Sequence, residues 1–148
     1  MVELITVMIL LGVLAAVAMP RMMGDNTTGA AVYGEQVVSA LRLAQKTAVA
    51  KRRTVCVTAN PARVTLRIRT QAGSGACNAS LVGITDDLYA SKDSKIVLAD
   101  APSAMRFHPD GSITDGQDVR LGRRELKITL AGASRRVIVV DGGTGYVD

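Results

Sequence analysis

Glu3 stands at the head of an apolar run, where a charge is costly. From Leu4 to Met19 only Thr6 and Gly12 are not strongly apolar, and no charge falls inside the stretch. A carboxylate at bilayer depth costs about 2.5–3.5 kcal/mol, so it calls for a partner and a purpose. Basic residues form two further groups. Arg42, Lys46, Lys51, Arg52, Arg53, Arg63, Arg67 and Arg69 fall between Gln36 and Thr85 without an acid among them. Arg120, Arg123, Arg124, Lys127, Arg135 and Arg136 follow, with only Glu125 inside. If the groups share a face they could neutralise several phosphates, with strong salt dependence. The other reading is a solvated face that keeps a strand-rich protein soluble. Asp110, Asp115 and Asp118, with Gly111 and Gly116, could offer oxygens to Ca²⁺. They do not match the helix-loop-helix calcium pattern, and Asp-Gly pairs are also ordinary turn chemistry. Cys56 and Cys77 lie twenty-one residues apart, and the sole histidine, His108, sits beside a turn. That set falls short of the four Cys and His ligands of common zinc sites. Nothing in the sequence places His108 against either sulfur. No phosphate loop, nucleophile elbow or pair of catalytic carboxylates is present, so the chain reads as no enzyme, with no cofactor or metal.

The elements that must position these residues fit within one domain's length, 148 residues. Aromatics are only 3%, which argues against a base-stacking surface and suits a scaffold better than a ligand pocket. The net charge of +5 permits an anionic partner without naming one. The run from Leu4 to Met19 reaches about 24 Å as a helix, short of a bilayer's roughly 30 Å core. Three readings fit it. It could be a secretory signal cut near Ala16-Val17-Ala18, ahead of a secreted β-rich protein. It could be a plain membrane anchor. It could be a helix that sits first in a membrane and later in a protein filament, and only this gives Glu3 a purpose.

Val37, Leu41, Ala44 and Ala48 recur at helical spacing beside Val38, and Glu35, Arg42, Gln45 and Lys46 take the opposite face. The pattern predicts one long helix from about Val2 to about Lys51, bent near Pro20 and weak from Gly24 to Gly29. Its first half is apolar all round and its second half amphipathic. Strands are expected at Thr54–Thr58, Arg63–Arg69, Ile96–Leu98, Met105–Phe107, Leu126–Leu130 and Arg136–Val140, with Tyr146-Val147 closing the chain. Turns are expected at Asn60-Pro61, Pro109-Asp110-Gly111, Ala131-Gly132-Ala133 and Asp141-Gly142-Gly143. Residues 71–95 read as a polar loop.

Met1-Val2-Glu3-Leu4-Ile5, the apolar run and Pro20 resemble the N-terminus of type IV pilins and type II secretion pseudopilins. Ala40 to Arg52 is similar to the helix end of the GspH/FimT group, and Met105-Arg106-Phe107-His108-Pro109-Asp110-Gly111 to its strand-turn. The resemblance implies an α+β pilin fold, a long N-terminal helix packed on an antiparallel β-sheet domain. Residues 1–23 would form the membrane or filament helix. Residues 24–148 would form the periplasmic domain, its amphipathic helix reaching about residue 52 before the strands.

The function implied is that of a minor pilin or pseudopilin: a single-pass inner-membrane protein that later joins a pilus or pseudopilus fibre. Its partners would be other pilin or pseudopilin subunits. A basic leader ahead of Met1 would be removed by prepilin peptidase, with methylation of the new N-terminus. Glu3 and Pro20 would serve assembly, Glu3 by neutralising a neighbour's amino terminus. A domain outside the cytoplasm sits where disulfides form, which favours a Cys56–Cys77 bond pinning the Gly-Ser-rich loop.

Some FimT-type minor pilins bind DNA through a Gly-Arg-x-Arg tail. The corresponding tail here is Gly145-Tyr146-Val147-Asp148, with both arginines lost, and Asp148 would repel phosphate. Thr144-Gly145-Tyr146-Val147 looks more like minor pilins of the mannose-sensitive haemagglutinin type. Candidate residues for DNA binding are Arg123, Arg124, Arg135 and Arg136, with the helix-end pair Arg52 and Arg53.

Overall fold

The computed structural model describes residues 2–22, 26–71 and 76–148, and for residues 17–22 the backbone alone. Helix α1 spans Val2–Met22 and helix α2 spans Thr27–Lys51. Eight strands follow: β1 Val55–Asn60, β2 Arg63–Ile68, β3 Ala79–Ser80, β4 Ile96–Ala99, β5 Ala104–Phe107, β6 Ile113–Asp115, β7 Arg123–Leu130 and β8 Ala133–Asp141. The expected single helix is therefore two assigned helices. Asn26 is a turn residue, and Gly24 and Asp25 of the expected weak stretch lie outside the described residues. Helical backbone continues through Pro20, whose side chain is likewise outside them. Thr27, Thr28 and Gly29 are helical after all. A Cβ on Gly29 would come within 3.1 Å of the Ile96 side chain, so the bare glycine lets α2 approach β4 closely.

Helix α2 buries Ala30, Tyr33, Gly34, Val37, Val38, Ala40, Leu41, Ala44 and Ala48. That is the three-and-four spacing of an apolar stripe, built mostly from small residues that bring helix and sheet close. Arg52 ends the helix in the left-handed conformation, φ 50°, and the Arg53 amide donates to the Ala48 carbonyl at 3.1 Å.

The strands form two antiparallel sheets, one ordered β3-β2-β1-β5-β6 and one β4-β7-β8. Strict alternation puts Val64 and Leu66 of β2 into the core beside Val55 and Val57 of β1. Leu126, Ile128, Ile138 and Val140 do the same for the smaller sheet. α2 lies against both sheets, and Phe107 and Leu41 are among the largest fully buried side chains. Strands β3 and β6 are additions to the expected set. β3 is two residues long, held against Arg67 and Ile68 within the expected loop. β6 is three residues long and pairs with β5.

Candidate functional site

Glu3 lies in the first turn of α1, where a carboxylate complements the helix dipole. The Thr6 hydroxyl donates to the Glu3 carbonyl at 2.8 Å. Along the described side chains of α1 the apolar residues Val2, Leu4, Ile5, Val7, Met8, Ile9, Leu10, Leu11, Val13 and Leu14 are all exposed. Among the described residues, the buried core is drawn from α2, the strands and their loops. α1 is thus an apolar surface without a cover inside the subunit. No described helix is long and apolar enough to cross a membrane.

Cys56 and Cys77 form a disulfide with Cα atoms 6.0 Å apart. It joins β1 to the segment leading into β3, and it leaves no free thiol. His108 is occupied elsewhere: its Nε2 lies 2.8 Å from the Thr114 hydroxyl.

Several of the basic residues are engaged with neighbours in the fold. Arg63 pairs with Asp87 at 3.4 Å and Arg67 with Asp86 at 2.9 Å, so the loop after β3 lays acids over the outer face of β2. Arg53 donates to the Thr70 carbonyl, and Arg136 pairs with Glu35 of α2. Arg123 and Arg124 open β7, while Arg135 and Arg136 lie near the start of its antiparallel partner β8. Arg124 faces Val140 and Arg136 faces Ile128. The two pairs therefore stand four ladder positions apart, roughly 13 Å at about 3.3 Å per residue. Arg135 is the extra residue where the β7–β8 register slips. Arg52 caps α2.

The C-terminal tail is docked rather than loose. The Val139 amide donates to the Asp148 carbonyl at 2.7 Å, and the Asp148 amide returns a bond at 3.0 Å. Arg42 from α2 donates through Nε and Nη2 to the Val147 carbonyl at 3.1 and 3.0 Å. Composition alone marked Arg42 as one cation among many. Its role as a clamp on the tail, like the pairing of Arg106 with Asp118, needed the fold.

Asp110, Asp115 and Asp118 do not converge. Asp110 accepts from the Ser112 amide and hydroxyl, and Asp115 accepts from the Gln117 and Val119 amides. No group of three acidic, His or Cys side chains able to hold a metal occurs among the described residues. The Ser112 hydroxyl and amide hold the Asp110 carboxyl below its ordinary range, and the Arg106 guanidinium does the same for Asp118. The Thr144 and Gly143 amides lower Asp141, and the Lys95 amide and Asn26 side chain lower Asp93. These groups bind fewer protons folded than unfolded. Their stabilisation is present above the ordinary carboxylate pKa and is lost as pH falls through the lowered values. The melting temperature of the detergent-solubilised chain should therefore stay level from pH 7 to 5 and decline below about pH 4. A melting temperature that rose on acidification would contradict this.

Similarities to known proteins match this architecture. The family model described as "Type II transport protein GspH" matches residues 34–144, about three quarters of the chain. No curated protein matches. The crystal structure of the type IV minor pilin FimU from Pseudomonas aeruginosa (strain PAO1) is similar, with a TM-score of 0.57. It shares 17% identity, over 79% of this chain and 84% of that one. At that identity the likeness carries the fold: a long helix packed on antiparallel sheet, α+β.

Proposed function

This chain belongs to the GspH family of type II transport proteins, and from that premise we propose that it is a minor pilin or pseudopilin. In this reading α1 holds the subunit in the inner membrane and then carries it into a type IV pilus or type II secretion pseudopilus. Its role is structural and not enzymatic. The precursor would pass through prepilin peptidase, and the mature protein would meet other pilin or pseudopilin subunits.

The observation that carries the reading is the uncovered apolar surface of α1. Burial against neighbouring helices would release about 25 cal/mol for each Å² of apolar surface covered. Among the described residues, no side chain of α1 contributes to the domain's core. Glu3 then has a defined task. In an apolar bundle an unpaired carboxylate is costly, and a neighbour's amino terminus is the compact cation that relieves it. That pairing sets the axial register of the subunit. Pro20 lies within α1, where its ring removes a backbone donor and lets the helix give locally as it packs. DNA capture has less support, with the candidate arginines of β7 and β8 divided between two ends of a hairpin and Arg136 already paired with Glu35.

Glu3→Ala tests the reading. The variant should accumulate in the membrane fraction at the normal level. Its amount in sheared fibres or pseudopili should fall at least several-fold. Normal incorporation would refute the assembly role of Glu3.

A further inference from the structure

The start of α2 is flanked by cations on both sides. On one flank runs the segment Lys92 to Lys95. The Asn26 side chain donates to the Asp93 carboxylate, which ties this segment to the turn before α2. The Ala131 amide donates to the Lys95 carbonyl at 2.9 Å, which ties it to the turn between β7 and β8. On the other flank Thr27 and Ala31 share an open cleft of about 420 Å³ with Arg135 and Arg136. The stem of Arg136 crosses α2 at Gly34, where a Cβ would lie 2.7 Å from its Cδ. Lys92, Lys95 and Arg135 are exposed, and none of them is in a salt bridge among the described residues. Two acids are interspersed, and both are engaged. Asp93 accepts from Asn26 and from the Lys95 amide at 2.8 Å, and Glu35 pairs with Arg136.

We propose that this end of the domain rests on an anionic lipid surface, with Lys92, Lys95 and Arg135 contacting phospholipid phosphates. The inference rests on the reading that α1 sits in the membrane before assembly, and it adds the surface that the domain meets there. Three features select this occupant. The first is chain length. Met22 ends α1 and Thr27 opens α2, so the start of α2 lies no more than about 18 Å from the end of α1. With α1 in lipid, the first turns of α2 stay within reach of the headgroups. The second is charge. Each Lys or Arg at an anionic leaflet is worth about fivefold in residence there, and these three have no salt-bridge partner to give up. The third is shape. A helix with its side chains is about 10 Å across, so one small anion cannot bridge the lysines on one flank and the arginine on the other. A plane of phosphates meets both, the guanidinium offering paired donors and the lysines point charges.

The test uses the full chain reconstituted into vesicles of phosphatidylcholine, either alone or with phosphatidylglycerol as a third of the lipid. Flotation reports membrane insertion. Acetylation by acetic anhydride, an uncharged reagent, is read by mass spectrometry and reports the exposure of each lysine. The chain should float with both lipids. Lys92 and Lys95 should react about fivefold more slowly when phosphatidylglycerol is present. Lys51 closes α2 about 36 Å from Thr27 and should react equally on both. The slowing should vanish in about 1 M salt, where the Debye length is about 3 Å. It should shrink by at least half in Arg135→Glu and persist in Arg135→Lys. Equal reaction on the two lipids, or full slowing in Arg135→Glu, would overturn the lipid contact and leave the membrane-anchored reading standing. Slowing produced on phosphatidylcholine by inorganic phosphate alone would overturn the lipid surface in favour of a free-anion site. A chain that floats with neither lipid would overturn both readings.

Discussion

Gly142→Ala should lower the melting temperature of the detergent-solubilised full chain by about 10 °C, from a loss of about 3 kcal/mol or more. Gly142 is buried at the end of β8, where a Cβ would lie 1.9 Å from the Leu121 carbonyl oxygen and 2.7 Å from its carbonyl carbon. Those are backbone atoms and cannot swing aside as a lysine tip could. They are also held in place: the Ile113 amide donates to the Gly142 carbonyl at 3.0 Å, and the Leu121 amide donates to the Ile113 carbonyl at 2.9 Å. Adding one methyl group therefore pries apart the seam where β6, the segment before β7 and the end of β8 meet. Gly143→Ala is the internal control. Gly143 is exposed, and a Cβ there would meet only the Asp141 carboxylate, at 3.3 Å. Its melting temperature should stay within a degree or two of the parent. If both variants melt like the parent, the close seam does not exist in solution.

Replacing both Cys56 and Cys77 with serine should cost about 3 kcal/mol, the chain-entropy value for closing a loop of this length. The bond ties residues separated by 21 positions. Within and just beyond that loop lie β2, β3 and the acids that pair with Arg63 and Arg67. β3 has only two residues and one partner strand, so it has little hold of its own. The loss should appear as a lower urea midpoint for the double variant. Proteolytic cutting should become faster between residues 71 and 90, while the sheet β4-β7-β8 keeps its protection. Dithiothreitol should reproduce the effect in the parent and change nothing in the variant. An unchanged midpoint would mean that the unfolded chain gains no freedom from losing the bond.

Much of the architecture is periodic, and periodicity is local. The apolar run behind Glu3, the stripe Val37-Leu41-Ala44-Ala48, the alternation of Val64, Leu66 and Ile68, and the Asp-Gly turns are all visible in the one-dimensional order of residues. Tyr33 lies one helical repeat before Val37, so the same stripe marks it as buried. It does not reveal that its hydroxyl is buried without a hydrogen-bond partner among the described residues. Short elements escaped for a related reason. β6 has only three residues, too few to carry a pattern, and forms because β5 and the 119–121 segment offer it partners.

By itself, then, the sequence determined the helix-then-strand order, the apolar surface of α1, the acid at its head and the amphipathic face that seats α2. Each follows from side-chain type at fixed spacing. Tertiary structure alone decided how the strands divide between two sheets, which acid meets which arginine, and that the tail is clamped. Arg42 reaches Val147 across 105 residues, and Arg136 reaches Glu35 across 101. Such contacts depend on where the folded backbone brings distant residues together, and no local spacing encodes that distance.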